Sequence, residues 1–224
     1  MERSKKMKYL FIDASESKTT YAQIGDDSSF QTQIFETDRD FASKITAICD
    51  EMFELAGFTP EQADVMAFGT GPGSLTGIRV AGSFFRTLAM IKSCELVGVN
   101  SFVWALKSLS EAGINGKVKV VAPTLIDKAF EVEATLPVLR FEPPKLIERI
   151  DIGKDGLKTY GINFSYDAIE KVELSGQALH DLILNDKNNV ERANDMAGIL
   201  KILPFYVIPS QAERNFKQNN KDRQ

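Results

Sequence analysis

The sequence predicts an α/β protein in which mixed sheets are flanked by helices. Three observations carry that prediction. Three closely spaced strand-like segments open the chain between Tyr9 and Thr37. Helix and strand patterns then alternate from Asp38 to Gly113. The sharpest join is a glycine-rich loop, Gly69-Thr70-Gly71-Pro72-Gly73-Ser74-Leu75-Thr76-Gly77-Ile78-Arg79, set between an apolar strand and a long apolar helix. An antiparallel run followed by strand–helix alternation calls for sheets with helices packed on them.

Taken in order, Tyr9-Leu10-Phe11-Ile12 reads as a buried strand that ends in Asp13-Ala14-Ser15. Thr19–Gly25 and Ser29–Thr37 are rich in strand formers, and Asp26-Asp27-Ser28 is the turn between them. The residues alone make Asp13 and Ser15 a turn with local backbone hydrogen bonds. Asp38 to Gly57 reads as a helix. Phe41, Ile45, Ile48, Met52 and Leu55 recur at alternating four and three spacing and form one apolar stripe. Asp38 or Asp40 is placed to cap it, and Gly57 to end it.

Val65-Met66-Ala67-Phe68 is the next strand and leads into the glycine loop. Gly71, Gly73 and Gly77 admit backbone angles closed to other residues and allow another chain segment or a ligand to approach. Ser74 or Thr76 can cap the helix that follows, and the free N–H groups of a helix start favour an anion. No Gly-Lys-Ser/Thr follows at P-loop spacing, and Gly-x-Gly-x-x-Gly does not fit in register. Two readings stay open: a tight turn with a capped helix, or a phosphate cradle.

The helix after the loop carries two apolar stripes, Ile78, Ala81, Phe85 and Leu88, and beside them Val80, Phe84 and Ile91. One stripe covers a core. A second either packs within the same domain or docks another chain. Glu95–Asn100 is a strand, and Ser101 caps a helix running through Trp104, Leu106 and Leu109 to Gly113. Turn residues at Gly113-Ile114-Asn115-Gly116 mark a lobe boundary, giving lobes 1–112 and 113–224. Val118–Asp127 and Phe130–Leu136 are strands, Glu142-Pro143-Pro144 is a rigid break, and Tyr160–Phe164 is a short strand. Leu174–Asn185 and Glu191–Leu203 read as helices, and the polar tail Asn215–Gln224, with Lys217, Lys221 and Arg223, frays.

Composition narrows the function classes. With 43% hydrophobic and 26% charged residues in 224, the chain has the make-up of an ordinary soluble protein. A net charge of −4 without a basic block makes a poor stand-alone RNA binder. Cys49 and Cys94 sit in apolar segments and read as reduced, buried thiols. No signal-like or membrane-spanning run is present, so a cytoplasmic location is expected. The one histidine, His180, is expected on the solvent side of its helix. One histidine and two unrelated cysteines cannot build a His/Cys metal site, and no Gly-x-Ser-x-Gly elbow exists for a Ser-His-Asp triad. A carboxylate-only Mg²⁺ site stays open.

Gly71-Pro72-Gly73-Ser74-Leu75-Thr76-Gly77-Ile78-Arg79 resembles the GPGSFTGLR signature of the TsaB (YeaZ) family, with Leu75 for Phe and Ile78 for Leu. The strand ending in Asp13-Ala14-Ser15 resembles the family's Ile-Leu-Ala-Ile-Asp-Thr-Ser opening, and Val99-Asn100-Ser101-Phe102 its Val-x-Ser-Leu. Leu203–Glu213 resembles the terminal Pro-x-Tyr-Leu-Arg…Ala-Glu segment, with Ile208 in place of Arg. Two places depart from the family: Phe41-Ala42-Ser43 stands where His-x-Glu is frequent, and Asp127-Lys128-Ala129 where an Asp-Ala-Arg-like turn is.

The resemblance implies a two-lobed actin-like (ASKHA, ribonuclease H-like) fold. In related sugar kinase, Hsp70 and actin folds the aspartate hairpin faces nucleotide phosphates and metal. Asp13, Ser15, Gly71, Gly73, Ser74, Thr76 and Gly77 thereby become candidate phosphate or nucleotide-loop residues. It also implies a non-catalytic paralogue of TsaD, without TsaD's His-x-x-x-His metal motif and with no cofactor or catalytic residue of its own. Its implied partners are a TsaD-like catalytic paralogue, a TsaE-like ATPase and, in isolation, a second copy as a homodimer. It would meet tRNA only through the complex, and no membrane. The family pairs through the first two helices, which nominates Phe41, Ile45, Ile48, Met52, Val80, Phe84, Phe85, Leu88 and Ile91 as the partner interface. The implied function is scaffold of the complex that attaches threonylcarbamoyl to N6 of adenosine 37 in tRNAs reading ANN codons. The alternative is a small actin-like ATP-dependent phosphotransferase with Asp13 as metal ligand or base.

Overall fold

The computed structural model describes residues 6–124, 127–137, 139–163 and 169–205. The chain begins with strands β1 (Lys8–Asp13), β2 (Thr19–Asp26) and β3 (Ser29–Glu36), then helix α1 (Phe41–Ala56). Next come β4 (Val65–Gly71), α2 (Leu75–Lys92), β5 (Glu95–Asn100) and α3 (Ser101–Glu111). A second group follows: β6 (Gly116–Pro123), β7 (Lys128–Leu136), β8 (Arg140–Phe141), β9 (Lys145–Glu148), β10 (Thr159–Gly161) and β11 (Glu170–Lys171). The described chain closes with α4 (Gly176–Leu184), β12 (Glu191–Ala193) and α5 (Met196–Ile199).

Two mixed sheets result. The first has strand order β12-β5-β4-β1-β2-β3; β1, β4 and β5 run parallel and the other pairings are antiparallel. The second has order β11-β10-β6-β7-β8, with β9 also on β7. Side-chain alternation sends the residues of β1 to opposite faces. Leu10 and Ile12 join Met66 and Phe68 under α1 and α2, whereas Tyr9 and Phe11 join Val97, Trp104 and Leu179 under α3 and α4. Both faces are covered, which is why β1 and β4 read as unbroken apolar runs.

α3 lies between the two sheets. Val103 and Trp104 pack on the first sheet, while Phe102, Ala105, Leu106 and Leu109 pack on Val118, Val120, Phe130 and Val132 of the second. The Trp104 indole N–H donates to the Ser175 carbonyl at 2.8 Å, and the Ser175 N–H donates to Ser108 Oγ at 2.9 Å, so α3 also seats the start of α4.

Several expectations are corrected. Residues 191–203 are not one helix. β12 pairs with β5, and α5 starts anew at Asp195, whose carboxylate accepts from Gly198 N at 2.8 Å. Arg192 explains the break. Its guanidinium reaches Glu95 at 3.0 Å and the Leu182 and Ile183 carbonyls, contacts that fix it against β5 and the end of α4. At α3 the capping side chain is Asn100, accepting from Phe102 N at 2.9 Å, and Ser101 is the first helical residue. Asp40 is the N-cap residue of α1 but makes no side-chain cap bond, and Asp38 and Arg39 take left-handed φ values of 44° and 68°. Leu55, at the last turn of α1, is 44% exposed rather than part of the buried stripe. The expectations on Leu125, Ile126, Phe164, the segment from 206 to 213 and the tail 215–224 lie outside the described residues.

Candidate functional site

The glycine loop rests on the β1–β2 hairpin. The Ser74 N–H donates to the Ser15 carbonyl at 2.6 Å. A Cβ at Gly73 would stand 2.3 Å from the Ser15 oxygen, and one at Gly77 2.1 Å from the Ala14 oxygen. No side chain fits at either place, so both glycines are required by the approach of the chain's own backbone. Ser74 is the N-cap of α2, its hydroxyl accepting from Gly77 N at 3.5 Å. Gly71, at φ 91°, lies buried under Ile78.

Two concavities flank the hairpin. The larger, about 690 Å³, is lined by Ser15, Lys18, Arg39, Ser74, Thr76 and Asn163, among others, and also by Gly73 and Gly77. The smaller, about 360 Å³, has Tyr21, Trp104, Val172 and Leu174 as apolar walls, and Asp13 and Ser15 at its edge. Of the candidate phosphate-loop residues, the structure brings Ser15, Gly73, Ser74, Thr76 and Gly77 together on the larger cleft. Asp13 lines the other concavity, Ser15 lines both, and Gly71 lines neither. The Asp13 carboxylate accepts from Ser15 N at 2.7 Å. Burial pushes its pKa above the ordinary carboxylate value, against the opposing pull of the hydrogen bonds from Ser15. Among the described residues no group of three His, Cys, Asp or Glu is placed to hold a metal ion.

The nine candidate interface residues divide. Phe41, Ile45, Ile48, Met52 and Phe85 are buried in the core under the first sheet, which corrects their assignment to a partner face. The reason is geometric: the meander strands need a cover on that side, and the stripe of α1 and the inner stripe of α2 provide it. Val80, Phe84 and Leu88 are half-buried and Ile91 is 76% exposed, so the second stripe of α2 remains at the surface.

His180, expected on the solvent side of its helix, lies elsewhere. It is buried, and its Nδ1 lies 3.0 Å from the Tyr9 hydroxyl. Gln23 Nε2 donates to that hydroxyl at 2.7 Å and to the Gly176 carbonyl at 3.0 Å, and Tyr21 OH donates to Gln23 Oε1 at 2.6 Å. The available signal was Gln23, a polar residue between the apolar Ala22 and Ile24 of β2, which when buried needs partners from elsewhere in the chain. Both cysteines are buried free thiols, as expected, and burial pushes the Cys49 pKa up to about 12.

Two mixed sheets joined through a shared helix, with a glycine loop seated on the first hairpin, define a mixed α/β protein with helices flanking both sheets. The family model described as "TsaD: tRNA N6-adenosine threonylcarbamoyltransferase" matches residues 35–121. A curated relative from Thermoplasma volcanium, a probable bifunctional tRNA threonylcarbamoyladenosine biosynthesis protein, is 24% identical over 80% of this chain. The chain spans 37% of that relative's length. Among solved structures, YeaZ from Pseudomonas aeruginosa superposes with a TM-score of 0.64 at 17% identity, covering 90% of this chain and 100% of that one. A Pseudomonas aeruginosa protein described as similar to the peptidase YeaZ gives 0.68 at 16% identity with the same coverage. The chain is thus similar in sequence to proteins of tRNA threonylcarbamoyladenosine biosynthesis and shares its fold with YeaZ. No described helix is long and apolar enough to cross a membrane.

Proposed function

We propose that this chain is a non-catalytic scaffold subunit of the assembly that attaches threonylcarbamoyl to N6 of adenosine 37 in tRNAs reading ANN codons. It pairs with a TsaD-like catalytic paralogue, a TsaE-like ATPase joins them, and tRNA is met through the complex. The observation that carries the reading is the outer stripe of α2. Val80, Phe84 and Leu88 pack on the rim of the core and stay partly exposed, and Ile91 beside them is 76% exposed. A row of large apolar side chains along one helix is a surface for another protein. The loop supports the same reading: the Ser74 N–H is engaged by Ser15 and the Gly77 N–H by Ser74, so two donors a phosphate would use are already satisfied.

Mixing the purified chain with the cognate TsaD-like protein tests this by size-exclusion chromatography. A stable complex is expected, and Phe84→Asp abolishes it. A chain that stays apart from that protein overturns the reading.

The second reading, a small actin-like phosphotransferase, rests on the open cleft of about 690 Å³ beside Ser74 and Thr76, with Lys18 and Arg39 on its wall. Titration calorimetry with ATP and Mg²⁺ separates the two. Tight binding by the isolated chain, with turnover removed by Asp13→Ala, favours the enzyme.

A further inference from the structure

The smaller concavity beside the first hairpin draws its walls from both sheets. Tyr21 of β2 and Ile34 of β3 come from the first, Val172 and Leu174 follow β11 of the second, and Trp104 of α3 completes the apolar lining. Its volume of about 360 Å³ suits a small molecule. The Tyr21 and Trp104 rings meet with centroids 5.0 Å apart and planes at 58°. The Tyr21 hydroxyl donates to Gln23 and the Trp104 N–H to the Ser175 carbonyl, so the pair has only ring surface to offer a ligand. Ile34 is 67% exposed, and the pocket gives a reason for so large an apolar side chain there, because it forms part of the rim.

Apolar walls alone do not choose a ligand, but Asp13 does. It lines the pocket and is 7% exposed. Its carboxylate accepts from the Ser15 N–H at 2.7 Å, and no cationic side chain among the described residues pairs with it. The charge that acts on it is that of Glu16, which has the same sign. Glu16 and Glu173 line the pocket too, against a single Lys171. A carboxylate among apolar walls, in a pocket of net negative charge, favours a cation. The walls decide which kind. Mg²⁺ and Ca²⁺ take roughly six or more oxygen ligands. Among the described residues no group of three His, Cys, Asp or Glu is placed to hold a metal ion. An ammonium needs one carboxylate, gains from aromatic rings nearby, and brings a body that apolar walls can cover.

We infer that this pocket binds a small primary amine with an apolar body, the ammonium on the Asp13 carboxylate and the body against Tyr21, Val172 and Leu174. The site uses nothing of the outer stripe of α2, so it holds or fails independently of the scaffold reading.

Titration calorimetry on the purified full chain tests it with three probes of similar shape: phenethylamine, phenethyl alcohol and phenylacetate. Phenethylamine is expected to bind, phenethyl alcohol to bind at least about tenfold more weakly, and phenylacetate not to bind. In Asp13→Asn the preference for the amine over the alcohol is expected to vanish, while the alcohol binds as before. Ile34→Lys, at an exposed rim position that leaves the fold intact, places a like charge at the mouth and is expected to weaken the amine at least about tenfold. Mg²⁺ alone, at millimolar concentration, is expected not to displace the amine. An amine that binds no better than the alcohol overturns the proposal. So does an Asp13→Asn variant that keeps the preference, an Ile34→Lys variant of unchanged affinity, or displacement by Mg²⁺.

Discussion

The Nδ1 of His180 on α4 and the hydroxyl of Tyr9 on β1 are 3.0 Å apart, although 171 residues separate them in the chain. Gln23 Nε2 donates to the same Tyr9 oxygen, so this hydroxyl ties β1, β2 and α4 together. Tyr9→Phe leaves the His180 Nδ1 unpaired and removes one of the two acceptors of Gln23 Nε2. Loss of about 1–3 kcal/mol in denaturant unfolding is expected. A double-mutant cycle with His180→Leu is expected to show coupling of about 1 kcal/mol.

Phe84 and Phe85 are adjacent on α2 and have opposite roles. Phe85 is fully buried, so Phe85→Asp places a carboxylate in the core and is expected to destabilise the monomer by more than about 4 kcal/mol, seen as loss of a cooperative melt. Phe84→Asp is expected to keep a melting temperature near that of the wild type while losing the TsaD-like partner. The opposite pattern would place the outer stripe inside the fold.

Gly77→Ala drives a methyl to 2.1 Å from the Ala14 carbonyl, a backbone atom that cannot swing aside. A loss of about 3 kcal/mol or more is expected in urea unfolding. Gly113, at φ 81° with nothing near its missing side chain, is the control. There Gly→Ala is expected to cost only about 1 kcal/mol of left-handed strain.

Asp13 makes stability depend on pH in a definite direction. Its folded pKa is raised above the ordinary 3.8, so the folded chain holds the proton more tightly than the unfolded chain does. Stability is highest on this account below 3.8 and falls as pH rises through the raised value. Asp13→Asn keeps an oxygen to accept from Ser15 N and removes the buried charge. It is expected to melt higher than the wild type at neutral pH, with the difference closing in acid. A lower melting temperature at neutral pH would show that the charge is stabilising.

With a thiol pKa of about 12 the Cys49 thiolate is scarce at neutral pH, and burial raises Cys94 as well. Thiol titration is expected to find neither group in the native protein and both after unfolding.

The meander, α1, the glycine loop and α2 were legible because each is written in local chemistry: alternation, stripe spacing, a tight polar turn, a capping serine. The sequence also required something to lie close against Gly73 and Gly77, but not that it would be the carbonyls of Ala14 and Ser15 rather than a ligand. The proposed partner stripe includes core residues for a related reason. Spacing finds an apolar face without saying what covers it, and Phe41 to Met52 are covered by the chain's own sheet. Residues 191–203 misled because Arg192 chooses its conformation through Glu95 and the end of α4, contacts made only after folding. His180 misled for the same reason.

β12 and α5 return to the first sheet after the second has been made, and Ile199 and Ile202 complete the core beneath α2. The second sheet is thus spliced into the first rather than appended to it. Until Ile199 and Ile202 arrive, the face of the first sheet under α2 keeps part of its apolar surface open to water, so its closure is coupled to the making of the second sheet.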